Sequence, residues 1–329
     1  MSVNETLAGV SDLLVGSSMA VYTGALLGFA VDLSGRGRAA APAPAATATA
    51  RQLVTAGASA GSAVSPREPL PPLGTGRAGN VAHALTVLAL VLHVSAVVSR
   101  GLSAQRPPWG NMYEFSVSGS MVVTAVFVGL VAWRRDLRFL GLFVVGPVLL
   151  TLGVATTLLH TASAQLVPAL QSPFLVIHVS VAFVASALFT IAFSVVVLQL
   201  AQDRRESARA AGVVHTRGAF LQRLPGSGEL ERIGYRLVAL AFPLWSFTLV
   251  AGAIWAEKAW GRYWGWDPKE VWTFVIWVVY AAYLHARATR GWDGRRAAYL
   301  AIAGFVCLLV NFGIVNVFFS GEHSYAGIG

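Results

Sequence analysis

The stretch from Trp260 to Trp272 holds the densest set of chemically distinctive side chains in the sequence. It contains four of the ten tryptophans, and both lysines of the chain, Lys258 and Lys269, lie within it or beside it. Aromatic side chains stack on flat ligands, and cationic side chains attract anionic groups. This combination therefore suits a large, planar, anionic molecule. The alternative is an interfacial aromatic belt, which tryptophan and tyrosine form in many membrane proteins.

The second half of this stretch has the sequence pattern of a helix start. Asp267 can act as the N-cap, Pro268 occupies the first helical position, and Glu270 follows the cap by three residues. A helix N-terminus carries free N–H groups and a partial positive charge, which favour an anion. The Asp-Pro-x-Glu spacing is explained by a helix cap at Asp267, so we favour the cap over a role for Asp267 as a proton carrier.

Histidines are the second group that could do chemistry, because a neutral imidazole ligates metal ions, including haem iron. The sequence contains seven: His83, His93, His160, His178, His215, His285 and His323. A lone histidine is more often an ordinary polar residue than a ligand, so its depth and neighbours must decide.

The composition places these residues in a membrane protein. The 329 residues are 56% hydrophobic and 12% charged, and the mean hydropathy is +0.64. The net charge of +9 comes mostly from arginines in short loops between apolar segments, which indicates membrane topology and argues against a nucleic-acid partner. The single cysteine, Cys307, excludes an internal disulfide or Cys-x-x-Cys pair.

The apolar segments predict an all-α polytopic bundle of eight transmembrane helices. Acidic residues and no basic one precede the first segment, so we expect a retained span over 1–33 and not a cleaved signal peptide. Residues 34–79, rich in Ala, Pro and Gly, predict a flexible cytoplasmic linker. The remaining seven spans, within 80–329, are expected at about 81–98, 115–133, 139–159, 174–200, 233–256, 268–288 and 297–319.

Arginine-rich loops predict the orientation. Such loops follow the first, third, fifth and seventh spans, and eight spans place all of them on one side, which is then cytoplasmic. Both termini and the tryptophan-rich loop at 257–272 are expected outside. Lys258, Arg262 and Lys269 are outer cations against this bias, so a ligand or local ion pairs must account for them.

Depth separates three histidines from the rest. His178 is expected near the outer end of the fifth span, and His323 just beyond the outer end of the eighth. With the aromatic loop and the outer cations they predict a haem site, with two imidazoles as axial ligands and Lys258, Arg262 and Lys269 available to the propionates. His285 is expected about 20 Å below Trp272, towards the cytoplasmic third of the membrane, where a histidine is costly and typically lines a pathway.

Several separated motifs resemble one family of membrane proteins. They are Pro-Trp-Gly-Asn-Met-Tyr-Glu-Phe at 108–115, Pro-Ala-Leu-Gln-Ser at 168–172 leading to Ile-His-Val at 177–179, the loop at 260–272, His285, and Ser-Gly-Glu-His-Ser-Tyr-Ala at 320–326. In this order they resemble the System II cytochrome c biogenesis proteins of the CcsA or ResC type, in some bacteria called CcsB. These proteins carry a tryptophan-rich "WWD" motif and handle haem. The resemblance covers roughly residues 80–329.

The resemblance implies a role for each of these residues. His178 and His323 match the family's outer axial ligands, and His285 matches its transmembrane haem ligand. The haem-binding loop would then comprise Trp260, Trp264, Trp266, Asp267 and Trp272. The cofactor is expected to be haem b, and the location the cytoplasmic membrane of a bacterium.

The resemblance also implies the reaction and its partners. Haem crosses the membrane and is presented to the Cys-x-x-Cys-His segment of an apocytochrome c for thioether attachment. The expected partners are a ResB-type membrane subunit, which supplies a second transmembrane ligand, the apocytochrome, and indirectly thioredoxin-like thiol reductants, all within membrane lipid. No nucleophile or general-base constellation is visible, so positioning would be the main catalytic contribution of a cytochrome c synthase subunit.

Two other classes of function remain open from the residues. A b-type respiratory subunit would place histidine pairs at matched depth within the membrane, whereas the matched pair here is outside. A secondary transporter would use the aromatic loop as a belt and gate and bind its substrate near broken helices at mid-membrane. Prolines and glycines in the spans are compatible with the transporter, which is the principal alternative.

Overall fold

The computed structural model describes residues 3–34, 73–164, 172–213 and 219–323, and the regular structure in these ranges is helical. Eight long helices follow one another along the chain: α1 (Glu5–Ser34), α2 (Arg77–Ala104), α3 (Met112–Trp133), α4 (Gly141–Leu158), α5 (Pro173–Ala210), α6 (Ser227–Trp260), α7 (Pro268–Arg290) and α8 (Gly294–Leu309). Short 3₁₀ turns at Arg135–Leu140 and Ala219–Arg223 precede α4 and α6. A π-helical segment, Val310–Val315, and a last turn, Asn316–Phe318, extend α8.

The predicted all-α bundle with eight spans is confirmed. Eight helices in the described ranges are long and apolar enough to cross a membrane when the turns beside α4 and α8 are included. α5 is the most buried of the eight and α7 the least. The orientation of the bundle stays a prediction, and "outer" and "inner" below refer to it.

Two helices extend well beyond the segments expected from hydropathy. α5 continues through the polar residues 201–210, and α6 begins at Ser227, before the apolar run that starts at Ile233. The 38 residues of α5 span about 57 Å at 1.5 Å per residue, far more than a hydrocarbon core of about 30 Å. Most of the predicted linker lies outside the described residues, although α2 already begins within it at Arg77.

Small side chains let α1 and α2 pack closely. Ala82, Ala89 and Ala96 are fully buried along one face of α2. A Cβ atom at Gly28 would lie 3.0 Å from that of Ala82, so the two helices nearly touch at this point. Close approach through small residues is the usual basis of helix association in membranes. This contact joins α1 to α2, and neither helix contributes a side chain to the cavity described below.

A buried ionic cluster fixes the outer ends of α2 and α3. Glu114, which is 1% exposed, accepts hydrogen bonds from Arg100 (3.1 Å), from two nitrogens of Arg106 (2.7 and 3.0 Å) and from the backbone N–H of Gly110 (2.9 Å). Arg100 and Arg106 also donate to the carbonyls of Thr161 and Ala164. The cluster therefore ties three segments together and holds the turn that carries Trp109.

Candidate functional site

A largely apolar cavity of about 580 Å³ opens between α3, α4, α5, α6 and the α7–α8 end of the bundle. Aromatic side chains form much of its wall: Trp109, Phe115, Phe183, Trp255, Trp264 and Phe312. The groups in its lining that can ligate a metal or carry a charge are His178, Lys269, Glu270 and His323, and amide and hydroxyl side chains, among them Asn111, Asn311 and Asn316, line it as well. An apolar cavity with a few convergent polar groups is the usual form of a small-molecule site.

His178 lies in the second turn of α5, in a notch on α6. Its Nδ1 donates a hydrogen bond to the backbone carbonyl of Thr248 at 2.9 Å, and its ring stacks on Trp255 at 6.3 Å with an angle of 14°. Because a carbonyl only accepts, Nδ1 carries the proton and Nε2 keeps its lone pair. Gly252 forms the notch, since a Cβ there would lie 2.7 Å from Cε1 of the imidazole.

His323 reaches the same cavity from the segment after α8. Its Nδ1 lies 2.9 Å from Oδ1 of Asp267, and its ring meets those of Trp255 and Trp260 edge to face, at 5.8 and 4.9 Å. Asp267 is 6% exposed, and its Oδ2 accepts the backbone N–H of Glu322 at 2.7 Å. The carboxylate thus orients the imidazole and leaves Nε2 free, as carboxylates do for metal-binding histidines.

The predicted capping box at the start of α7 is present. Asp267 accepts the backbone N–H of Lys269 at 2.9 Å, and Glu270 accepts the N–H groups of Gly265 and Asp267 at 2.8 and 3.1 Å. The interpretation of Asp267 as a helix cap is confirmed. The same carboxylate also holds His323, which the sequence pattern does not indicate.

The ionisation of Asp267 should control how firmly the His323 segment is attached. Burial raises the pKa of this carboxyl, but hydrogen bonds from His323, Lys269 and Glu322 outweigh it and lower the pKa from 3.8 to about 2. Because the pKa of Asp267 is lower in the folded state, its ionised carboxylate contributes its full stabilisation at a pH above the ordinary pKa of 3.8. This stabilisation is lost as the pH falls through about 2. Hydrogen-exchange protection of residues 319–323 should therefore decline between pH 4 and pH 2.

Asp267→Asn is the control for this pH dependence, because asparagine is an equally good N-cap but does not ionise in this range. Protection in the variant should be lower at pH 6 and should show no additional decline below pH 4. A decline of equal size in both proteins would assign it to another group.

The tryptophans of the loop have different surroundings. Trp264 lines the cavity and Trp260 contacts His323. Trp266 is 76% exposed and has a φ of 57°, in the left-handed region that bulky residues rarely adopt. Trp272 is partly buried on α7 and is not among the residues that line the cavity. Two of the four tryptophans therefore lie at the cavity or its histidines.

The three outer cations also differ. Lys258 forms an exposed ion pair with Glu257 at 3.1 Å, and Arg262 lies 3.6 Å from Glu322. Lys269 lines the cavity, and its Nζ donates to the backbone carbonyl of Asn311 at 2.7 Å. Local ion pairs thus account for two of the cations, and Lys269 is the one placed to meet a ligand.

The other histidines of the described ranges lie away from this cavity. His285 is on α7, the least buried span, with its side chain exposed. His160 lies 3.4 Å from Asp12 and packs on Tyr113. His93 is fully buried and within 3.4 Å of the Tyr22 hydroxyl, and His83 packs on Phe127. His215 lies outside the described residues.

Several cavity residues were not singled out from the sequence. Thr248 contributes only its backbone carbonyl and Gly252 only an absence of side chain, so neither carries a sequence signal. Trp255 and Phe115 are aromatic residues within apolar runs and resemble ordinary core positions. Asn311 could have been noticed, because an asparagine inside the last apolar span is costly in a membrane and indicates a functional position.

The comparison with protein families decides the relationship. The profile of the family "Cytochrome C assembly protein" matches residues 109–323, which include both cavity histidines and the tryptophan-rich loop. The chain belongs to this family. The resemblance found in the sequence is therefore confirmed.

Individual relatives in this family agree. The chain is 35% identical over 305 residues to the cytochrome c biogenesis protein CcsA of Microcystis aeruginosa, covering 80% of this chain and 90% of the relative. The CcsA protein of Rippkaea orientalis is 35% identical over 321 residues, with 81% and 91% covered, and that of Gloeobacter violaceus is 33% identical over 287 residues, with 73% and 84% covered. The chain is therefore a multi-pass membrane protein of the CcsA type, with a role in cytochrome c biogenesis.

A solved structure shares the fold. The cytochrome c haem lyase CcmF superposes with a TM-score of 0.62 at 15% identity. The match covers all of this chain but only 49% of that protein. At this identity the likeness concerns the fold alone, and it shows that this helix arrangement occurs within a larger protein.

Proposed function

We propose that this chain binds haem in the cavity, with His178 and His323 as the two axial ligands, and presents it for covalent attachment to an apocytochrome c. One observation carries the proposal. Two imidazoles from distant parts of the sequence line one aromatic cavity, and each has its Nδ1 engaged so that its Nε2 is free to bind iron. Bis-imidazole ligation needs this tautomer on both sides.

The remaining walls suit the rest of a haem. The porphyrin is a flat, apolar ring, and the cavity offers Trp255, Trp264 and Phe115 as aromatic surface. The propionates are anionic, and Lys269 places an ammonium group in the same cavity. Haem b, with its unmodified vinyl groups, is the form that can still accept thiols, so we propose it as the cargo.

The chain's own contribution to the reaction is positioning. The two cysteine thiols of an apocytochrome Cys-x-x-Cys-His segment add across the two vinyl groups, each breaking its S–H bond and the π bond of the vinyl group and forming one C–S and one C–H bond, without any leaving group. His178 and His323 hold the ring in place for this addition. Separate thioredoxin-like proteins would keep the thiols reduced.

A second haem position would involve His285 and a partner subunit. His285 is exposed on α7, inside a span, where a histidine facing only lipid is unfavourable. We therefore propose that His285 is a transmembrane haem ligand and that a ResB-type subunit covers this face and supplies the opposing ligand. The complex would operate in the cytoplasmic membrane of a bacterium.

A pair of tryptophan variants tests whether the cavity is the haem site. Trp264 lines the cavity and Trp266 is exposed two residues further on, so Trp264→Ala should weaken haem binding and Trp266→Ala should do so much less. Loss of one aromatic contact typically costs about 0.5–1.5 kcal/mol beyond the area lost, so we expect a roughly tenfold difference. The measurement is a haem titration of the protein purified with its partner. Equal losses in the two variants would contradict this placement of the haem.

A further inference from the structure

Asn311 is a buried polar side chain without a use in the functions described so far. It is 6% exposed, lies within the π-helical segment Val310–Val315, and lines the cavity. Its side-chain oxygen Oδ1 has no hydrogen-bond partner among the described residues. An unpaired buried amide oxygen is unfavourable, and a turn of this side chain that exchanges its oxygen and nitrogen when a ligand enters the cavity would relieve it.

The π-helical segment explains how Asn311 comes to share this wall with Lys269. A π turn widens the helix and shifts its backbone hydrogen bonds, so a carbonyl can accept a donor from outside, and such turns are frequent at functional sites. Here the backbone carbonyl of Asn311 accepts a hydrogen bond from Lys269 Nζ at 2.7 Å. The ammonium therefore lies against the backbone of Asn311, and both residues line the α7–α8 side of the cavity.

Lys269 forms no salt bridge within the part of the chain that the structure describes. The hydrogen bond of its Nζ goes to a neutral backbone carbonyl, that of Asn311. The two carboxylates beside it in the sequence have other donors: Asp267 accepts from His323 and two backbone N–H groups, and Glu270 accepts from the N–H groups of Gly265 and Asp267. A cation in an apolar cavity with one neutral partner favours an incoming anion.

We propose that Lys269 and Asn311 form a carboxylate-binding subsite that takes the propionates of the haem. This rests on the proposed function, because it assigns one side of the same cavity. A half-turn of the Asn311 amide places its NH₂ group where the unpartnered oxygen lies, without a change in volume. The amide then donates to the carboxylate beside the ammonium, and the propionate edge of the ring lies at α7–α8 with the vinyl groups turned away from it.

Haem and its dimethyl ester distinguish this subsite from general loss of binding. The ester has the same ring, iron and vinyl groups but no carboxylate charge. The affinities for haem and for the ester therefore both depend on His178 and His323, and only the affinity for haem depends on the anion subsite. The protein, purified with its native partner, is titrated with each ligand. Wild type should bind haem at least about tenfold more tightly than the ester, as expected for charge-assisted hydrogen bonds in a buried site.

Three variants complete the test. Asn311→Asp places a negative charge beside the propionates, and Lys269→Met removes the cation, so each should reduce the preference for haem about tenfold or more while leaving affinity for the ester nearly unchanged. Asn316→Leu is the matched control, because the Asn316 amide already donates to the carbonyl of Phe312 in its own helix. It should change both affinities equally.

The outcomes separate the two proposals. An unchanged ratio of haem to ester affinity in both Asn311→Asp and Lys269→Met, with the bis-histidine spectrum intact, would overturn the subsite and leave the axial ligands in place. Loss of binding of both haem and its ester in Lys269→Met would assign Lys269 a structural role, and the isosteric Asn311→Asp would then decide; the same loss in Asn311→Asp would overturn the assignment of Asn311 to the subsite. A haem spectrum indifferent to His178 and His323 would instead contradict the proposed function.

Discussion

Replacing His178 or His323 by alanine is expected to reduce the formation of covalently haem-bearing cytochrome c more than about 100-fold, because loss of the outer-shell partner of a metal ligand alone costs about 10–100-fold in affinity. Each imidazole has Nδ1 bound to the protein and Nε2 directed to the cavity, and no other histidine of the described residues lines that cavity. The measurement is the amount of a reporter cytochrome c assembled in cells that depend on this chain.

Imidazole and a third histidine provide the controls for this prediction. Each alanine variant leaves a space of imidazole shape, so added imidazole should restore a substantial part of the product. His160→Ala removes a histidine that is half-exposed and pairs with Asp12, and it should retain nearly normal assembly. Wild-type amounts of product in either ligand variant, without imidazole, would contradict the assignment of that histidine.

Replacing Glu114 by alanine is expected to lower the free energy of unfolding by about 3–5 kcal/mol, the usual result of removing one partner from a buried ion pair. The change would leave Arg100 and Arg106, with side chains 5% and 9% exposed, without their shared carboxylate. It would also release the turn at Gly110 and with it the Trp109 wall of the cavity. Thermal unfolding of the purified protein in detergent measures the effect.

An exposed ion pair supplies the contrast for Glu114. Asp136 accepts two hydrogen bonds from Arg134, at 2.6 and 2.9 Å, but its side chain is 51% exposed. Water and salt screen such a pair, so Asp136→Ala should change the free energy of unfolding by at most about 1 kcal/mol. Similar melting temperatures for Glu114→Ala and the wild type would show that the cluster does not hold the outer ends of α2 and α3.

The fold was predictable because its signals are long and repeated. Apolar runs of about 20 residues can form only helices in a bilayer, so both the fold class and the number of spans followed from hydropathy. Helix ends were less predictable. Residues 201–210 are polar but favour helix, so α5 continues into a segment expected to be a loop. Hydropathy marks where a helix leaves the membrane, which is different from where it ends.

The candidate site was predictable at the positions that contribute through their own side chains. The sequence identified His178, His323, Trp264 and Lys269, and the structure brings all four to one cavity. It did not show that Trp266 is exposed with a positive φ, because the backbone conformation of a loop depends on tertiary packing. Thr248 acts through its backbone carbonyl and Gly252 through the space that its missing side chain leaves. Neither contribution can be predicted from the residue type alone.

The dual role of Asp267 shows how a local signal can conceal a second function. The Asp-Pro-Lys-Glu spacing accounts fully for a cap, and a cap is present. The bond to His323 joins residues 56 positions apart, so only the folded chain reveals it. Gly321 permits this approach, because a Cβ atom there would lie 2.2 Å from Asp267 Oδ2.

An absorption spectrum tests the central claim most directly. The protein, purified with its native partner, is recorded with and without dithionite beside His178→Ala and His323→Ala. The account predicts a reduced low-spin bis-histidine spectrum that collapses in either variant and returns with added imidazole. An intact complex without haem, or haem unaffected by both substitutions, would contradict the ligand assignment and would favour a transporter of another substrate.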